Sequence, residues 1–338
     1  MLTDEQKRLL IALIEKGEPL PAQYRRLLFG LDEADYVERT GVYSLEYKGK
    51  TREQDILADT PAAPLQEIRS FNADNPHPAP HADWRNLLIY GDNLLALKAL
   101  YEDQRGPNTY GTKDRIKLIY IDPPFATKQD FMKDREKAYR DKLIGAQFIE
   151  FLRKRLVLLR EVLADDGSIY VHLDQKKGHY IKAVMDELFG EHNFRNEIVW
   201  IRTFNTGSSK SIAKKFPSNS DSLFFYTKSD DYYFQHQYES YSAGALKRYD
   251  KIDEHGRRFK WNPLATVSQE KLDRLLASGE AMITPTSKYP IYKHYFDESK
   301  GAAISNVWDI SGIGTFSDER LDYPTQKPEA LLQKLRKV

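Results

Sequence analysis

The sequence predicts an α/β protein, a sheet wound on both faces by helices. Three observations carry that prediction. Leu87-Leu88-Ile89-Tyr90 has the composition of a strand and runs into Gly91-Asp92-Asn93, then into a helical segment from Leu94 through Leu100. Strand, tight turn and helix make one crossover of a doubly wound sheet. A second run, Ile116 to Ile121, is β-branched and aromatic with little polarity, as a strand covered on both faces requires. Beyond it the alternation repeats: a helix with Phe148, Phe151, Leu152, Leu156, Leu159 and Leu163 on one face, the strand Ser168 to Leu173, a helix over 178–189 and the strand Glu197 to Ile201. Asp221 to Tyr226 adds one more strand.

Taken in order, residues 1–57 read as an N-terminal helical and strand extension. Thr3 caps a helix reaching Lys16 with Gln6 reaching back, Leu9, Leu10, Leu13 and Ile14 form its apolar stripe, and Gly17 ends it. A short helical piece with Tyr24, Leu27, Leu28 and Phe29 follows, then Val42 to Tyr47 alternates like an edge strand. We read this as a packing extension rather than a winged DNA-binding piece. Residues 58–83 are rich in Pro, Ala, Asp, Asn and His and read as a linker or a strap over the surface. Residues 84–201 hold the alternating pattern. Within them Ala126 to Lys142 is polar and charged and reads as a mobile segment able to close over a substrate. Arg153, Lys154, Arg155 and Arg160 line the other face of the long helix and read as solvated surface.

From 202 to 310 the periodicity fades, apart from the core strand near 221–228. Lys247-Arg248 and Arg257-Arg258 are interleaved with Tyr241, Tyr249, Phe259 and Trp261, a mixture able to contact phosphates and stack bases but equally common in irregular surface domains. Residues 311–338 begin with Ser311-Gly312-Ile313-Gly314-Thr315, read as ordinary loop, and end in Tyr323-Pro324-Thr325-Gln326-Lys327-Pro328-Glu329, a helix entry with Pro328 in the first turn.

Composition narrows the function. The 338 residues contain no cysteine, which excludes disulfides, thiolate metal sites and a cysteine nucleophile. The eight histidines form no H-E-x-x-H pair, so no metal site is expected. No run approaches the ~18 apolar residues of a membrane span, and the acidic start Met1-Leu2-Thr3-Asp4-Glu5 has no signal-peptide pattern; a cytoplasmic location is expected. With a net charge of +1, any nucleic-acid surface must be local.

The chemistry sits at the end of the second strand, in Asp122-Pro123-Pro124-Phe125. Two prolines forbid further ladder pairing and stiffen the loop, at the strand end where open α/β sheets place ligands. A carboxylate and a rigid carbonyl can both accept hydrogens from an exocyclic amine, which draws its lone pair out of conjugation. The ring can stack on the base that carries the amine once that base is flipped from its helix. Taken alone, the string reads as a loop that merely ends a strand. Asp92, taken alone, reads first as a helix N-cap and second as an acceptor for a nucleoside.

Together, Gly-Asp-Asn-Leu, Leu-Ile-Tyr-Ile-Asp-Pro-Pro-Phe, Asp-Gly-Ser-Ile-Tyr-Val-His-Leu-Asp and Tyr-Pro-Thr-Gln-Lys-Pro-Glu, in that order over roughly residues 85–338, resemble the β-class DNA adenine N6-methyltransferases, which include the modification (Mod) subunits of Type III restriction systems. The resemblance implies a Rossmann-like mixed sheet with a strand inserted antiparallel, an inserted target-recognition region at 202–310, S-adenosylmethionine as cofactor and double-stranded DNA as substrate. A restriction subunit and a homodimer are the further partners it allows, and no membrane. It implies that Asp122 and the Pro123 carbonyl hold the target amine, Pro124 shapes the loop and Phe125 stacks on the base. Asp92 and Asn93, with Asp122, would bind the cofactor, and Thr325 and Lys327 would lie near its methionine end. Asp rather than Ser at the loop's head points to adenine N6 over cytosine N4. The family's Asp-Pro-Phe-x-Gly-Ser-Gly loop, expected after the Thr-Gln-Lys-Pro helix, does not follow before Val338. The expectation is therefore the front part of a methyltransferase, from truncation, a split gene or degeneration, which alone binds cofactor poorly. A catalytically incomplete DNA-recognition subunit, a cytosine-N4 methyltransferase, and an enzyme acting on RNA or protein glutamine are the alternatives.

Overall fold

A computed structural model describes residues 3–15, 44–70, 86–124, 130–133, 136–140, 145–203, 214, 216–314, 316–321, 323 and 325–336. They fall into two compact units, Met1–Tyr232 with Leu321–Thr325, and Tyr233–Arg320 with Gln326–Val338.

The first unit is built on strands β1 (Leu118–Ile121), β4 (Ser168–Leu173), β5 (Phe194–Ile201) and β6 (Ser220–Thr227), in the order β1-β4-β6-β5. β1 and β4 are parallel, whereas β6 runs antiparallel to both its neighbours, β4 and β5. The mixed α/β sheet with an inserted antiparallel strand is therefore present. Every residue of β4 is buried, as an interior strand paired on both sides requires, and its run is apolar apart from Ser168, Tyr170 and His172.

Helix α1 (Asp4–Glu15) starts with the expected box: Thr3 Oγ1 accepts from the Gln6 amide at 3.3 Å, and Gln6 Oε1 accepts from the Thr3 amide at 2.9 Å. Helix α2 spans Glu53–Asp59 and α3 Asn93–Arg105. The long amphipathic helix α4 (Ala146–Val162) and helix α5 (Gly178–Phe189) pack against the sheet. Phe148, Leu152, Leu156, Ile169, Val171, Leu173, Ile181 and Val184 form the centre of this core. Gly167, between α4 and β4, has no room for a side chain, since a Cβ there would lie 2.5 Å from Leu163 Cδ1.

Two expected elements differ. Residues 86–90 form no strand, and Leu88 and Tyr90 are fully exposed. Strand propensity is realised only against a pairing partner, and among the described residues β1 pairs with β4 alone. Residues 44–47 likewise form a strap rather than an edge strand. Side chains tie it down: the Tyr47 hydroxyl donates to Glu150 at 2.6 Å, and the Thr51 amide donates to the same carboxylate at 3.1 Å. The polar segment 126–142 contains the hairpin β2 (Asp130–Lys133) and β3 (Glu136–Arg140).

The second unit contains β7 (Tyr238–Glu239), α6 (Ala243–Leu246), β8 (Lys251–Ile252), β9 (Arg258–Pro263), α7 (Gln269–Ala277), β10 (Ala281–Met282), β11 (Ile291–Tyr295), β12 (Ala302–Ala303), β13 (Val307–Asp309) and α8 (Glu329–Arg336). Its main sheet is antiparallel in the order β10-β11-β9-β8. Much of the basic and aromatic set that could have faced nucleic acid is consumed inside this unit. Tyr249 and Phe259 are buried. Arg258 donates to the Tyr249 carbonyl at 2.9 Å, and Arg257 forks onto Asp297 with two bonds of 2.9 Å. Lys247 and Arg248 remain exposed.

Candidate active site

The parallel register Leu118↔Ser168 to Ile121↔Val171 ends where the prolines begin. Asp122, Pro123 and Pro124 leave the ladder at the carboxyl end of β1, because Pro123 and Pro124 have no N–H to donate. The Asp122 side chain is only 23 % exposed. Its Oδ1 lies 3.9 Å from Nδ1 of His172 on β4. Phe125 lies outside the described residues.

Beneath this loop runs a buried polar chain. The Tyr120 hydroxyl is 2.8 Å from His172 Nδ1, His172 Nε2 is 3.3 Å from Asp221 Oδ2 on β6, and that oxygen pairs with Arg202 Nε at 3.3 Å. The edge of the His172 ring system meets Trp200 with centroids 5.3 Å apart. Burial, reinforced by the carboxylates of Asp122 and Asp221, raises the Tyr120 phenol well above its ordinary range, so it stays protonated.

Helix α3 begins at the second acidic position. Gly91, at φ +145°, makes the turn that only glycine adopts readily. Asp92 is the N-cap, its Oδ1 accepting the Leu94 amide at 2.8 Å, so the capping reading holds. The same oxygen pairs with Arg155 Nη2 at 3.2 Å, while Arg155 Nε donates to Asn93 Oδ1 at 2.5 Å. Arg155 also donates to the Phe151 carbonyl at 2.9 Å and sits 3.6 Å above the Phe151 ring. Burial lowers its pKa and Asp92 works in the opposite direction.

The expectation that the basic face of this helix is solvated therefore fails in part. Arg153 and Arg155 are buried, and Arg153 donates to the Thr51 carbonyl at 2.6 Å. Helical spacing alone cannot say which face the strap of residues 44–59 and α3 will cover. Thr325 and Lys327 are half-buried in the turn ahead of α8, Thr325 in the first unit and Lys327 in the second.

Sequence reasoning missed Tyr120, His172, Asp221, Arg202 and Arg155 as parts of the site. One signal was legible: a histidine in the middle of an otherwise apolar strand, at a position the register sets beside Asp122.

Comparison with known proteins matches this architecture. The DNA methylase family, covering N6 and N4 methyltransferases, matches residues 116–335, more than half of the chain. The chain belongs to the DNA methylase family. Its members depend on S-adenosylmethionine. Over 292 residues, 79 % of the chain, this methylase is 31 % identical to the Type II methyltransferase M.EcaI of Enterobacter cloacae, of which 60 % is covered. It is 38 % identical over 130 residues to the probable Type III HindVI Mod subunit of Haemophilus influenzae, covering 38 % of the chain and 16 % of that protein. To the Type III StyLTI Mod subunit of Salmonella typhimurium it is 26 % identical, covering 75 % and 46 %. The methylase thus spans less than two thirds of each of these relatives. Among the described residues no helix is long and apolar enough to cross a membrane, and no cluster of side chains suited to a metal ion occurs.

Proposed function

We propose that this methylase supplies the amine-holding part of a DNA methyltransferase that modifies the exocyclic N6 of a flipped-out adenine in double-stranded DNA. The observation that carries the reading is Asp122, its side chain three-quarters covered at the carboxyl end of β1, followed by a carbonyl on a proline-stiffened loop. Asp122 and the Pro123 carbonyl each accept one hydrogen of the target amine, and Pro124 keeps their separation fixed. Phe125 stacks on the base. Holding both hydrogens points the nitrogen lone pair out of the base plane. The Asp122 carboxylate would offset the positive charge that develops on the amine as it is alkylated. Positioning supplies most of the acceleration.

The residues present fit the cofactor. Asp92 and Asn93 offer oxygen acceptors at a helix start, fixed from behind by Arg155, and the Asp92 side chain is 56 % exposed and thus reachable. Thr325, in the same unit as Asp92, is the residue expected near the cofactor's carboxylate end. When bound, S-adenosylmethionine supplies an electrophilic methyl group on a sulfonium. Adenine is favoured over cytosine by the aspartate at the head of the loop. Two of the relatives are named Mod subunits, which supports a restriction-modification setting with a restriction subunit as partner, in the cytoplasm where the DNA is.

The test is Asp122→Ala in the intact methylase. Transfer of labelled methyl to DNA should vanish while DNA affinity changes less than about threefold, and nucleoside analysis of the wild-type product should give N6-methyladenine. Wild-type transfer rates in the variant would refute the assignment. N4-methylcytosine would correct the target. DNA binding by the wild type without methylation at saturating cofactor would make it a recognition subunit.

A further inference from the structure

The main sheet of the second unit has two unlike faces. Side chains two apart along a strand share a face, and the register sets Lys260 opposite His294 and Asn262 opposite Tyr292. One face of β9 and β11 therefore holds Arg258, Lys260, Asn262, Tyr292 and His294, and the other holds Phe259, Trp261 and Tyr295. Phe259 and Tyr295 are buried. On the first face no side chain is fully covered: Arg258 is exposed and the other four are half-buried.

The polar groups of this face are steadied by the protein without being satisfied by it. Arg258 directs Nε and Nη2 to the Tyr249 carbonyl at 3.2 and 2.9 Å, which leaves the Nη1 hydrogens. Lys260 Nζ sits 4.7 Å from the centre of the Tyr249 ring and 5.8 Å from that of Tyr241. Such contacts hold a cation in place but accept none of its three N–H bonds in the ordinary way. His294 Nδ1 is 2.9 Å from the Tyr249 hydroxyl. Among the described residues the Lys260 ammonium, the Asn262 amide and the Tyr292 hydroxyl have no hydrogen-bond partner.

The chemistry of that face selects its ligand. Two cations, with no carboxylate among the strand residues beside them, call for an anion. An amide with donor and acceptor side by side matches N6 and N7 of adenine. A ribbon of two antiparallel strands fits the major groove, which is about 12 Å wide. Single strands are held instead by stacking on exposed rings, whereas here the large rings Phe259 and Tyr295 belong to the buried face.

We propose that the β9–β11 face reads double-stranded DNA from the major groove, with Asn262 on the edge of an adenine and Lys260 and Arg258 on the flanking phosphates. The inference rests on the reading that duplex DNA is the substrate, and not on the role of Asp122. Phosphate contacts set affinity and its salt dependence, while the base contact sets sequence preference; the two roles can be measured apart.

Binding by the intact methylase to a pool of fluorescent duplexes with a randomised centre, followed by sequencing of the bound fraction, makes that measurement. Lys260→Met should weaken binding about fivefold on every selected sequence and lower the slope of log affinity against log salt by about one. Asn262→Ala should keep the slope while preference for one A·T pair falls about tenfold. Asn262→Asp, of the same shape, should abolish that preference with an unchanged urea midpoint, which separates lost reading from lost folding. Lys271→Met, on exposed α7, should leave the slope unchanged. Equal slope losses for Lys260→Met and Lys271→Met, or an unaltered selected sequence in both Asn262 variants, would overturn the proposal. If Asp122→Ala abolishes methylation while the sheet variants behave as wild type, the catalytic reading stands and this one falls. If the sheet variants respond as expected but no methyl is transferred, this one stands without it. A wild type that binds no duplex overturns both.

Discussion

Replacing Arg155 by methionine isolates the charge that ties α4 to the start of α3. Methionine keeps the apolar stem and its packing while removing the guanidinium. Arg155 is 7 % exposed and makes three polar contacts, to Asn93 Oδ1 at 2.5 Å, the Phe151 carbonyl at 2.9 Å and Asp92 Oδ1 at 3.2 Å, besides stacking at 3.6 Å on Phe151. Asp92 is more than half exposed, so its share is discounted to a few tenths of a kcal/mol. The bond to Asn93 and the ring contact each contribute about 1 kcal/mol. The expected cost is about 2 kcal/mol after burial of the cation itself is relieved. Lys154 on the same helix is 35 % exposed and only 3.9 Å from Glu150, so Lys154→Ala should cost less than about 0.5 kcal/mol. Urea unfolding of both variants, with slopes checked for constancy, measures the difference. Because Asp92 Oδ1 serves both the Leu94 amide and Arg155, the double variant with Asp92→Ala should be less destabilised than the sum of the singles. Equal costs for Arg155→Met and Lys154→Ala would refute the clamp.

Other perturbations follow from the same geometry. Leu156→Ala, at a fully buried position in the α4 core, should cost about 3 kcal/mol in urea unfolding, since the site is walled by packed side chains. Burial, with Lys260 second, holds the His294 imidazole below its ordinary 6.5. The unfolded chain therefore takes up the proton first as pH falls, and the stability present above about pH 6.5 is lost as pH drops through the lowered folded value. Urea midpoints at pH 7.5 and pH 5 should differ more for the wild type than for His294→Gln; an identical difference in both would remove His294 as the cause. Calorimetry with S-adenosylmethionine should show whether the chain binds cofactor, and Asp92→Ala should abolish whatever binding is seen. Binding indifferent to Asp92→Ala would remove Asp92 from the cofactor site.

The sequence by itself determined the alternation of strands and helices, the capping box at Thr3 and Gln6, the strand end at Asp122-Pro123-Pro124 and the apolar face of α4. Each is a local matter: backbone donors that proline lacks, periods of 2 and 3.6, a side chain bonding its own helix end. What only tertiary structure decided concerns which surface meets which. Four basic residues on α4 look alike in the chain, yet Arg155 and Arg153 are covered by α3 and the strap while Lys154 stays near solvent. Residues 87–90 have strand composition but no partner in the described structure, and so no strand. Tyr120, His172 and Asp221 lie 52 and 49 residues apart in successive steps and meet only because β4 runs between β1 and β6. Pairing across a sheet, unlike a turn or a cap, is not written into any short stretch of sequence.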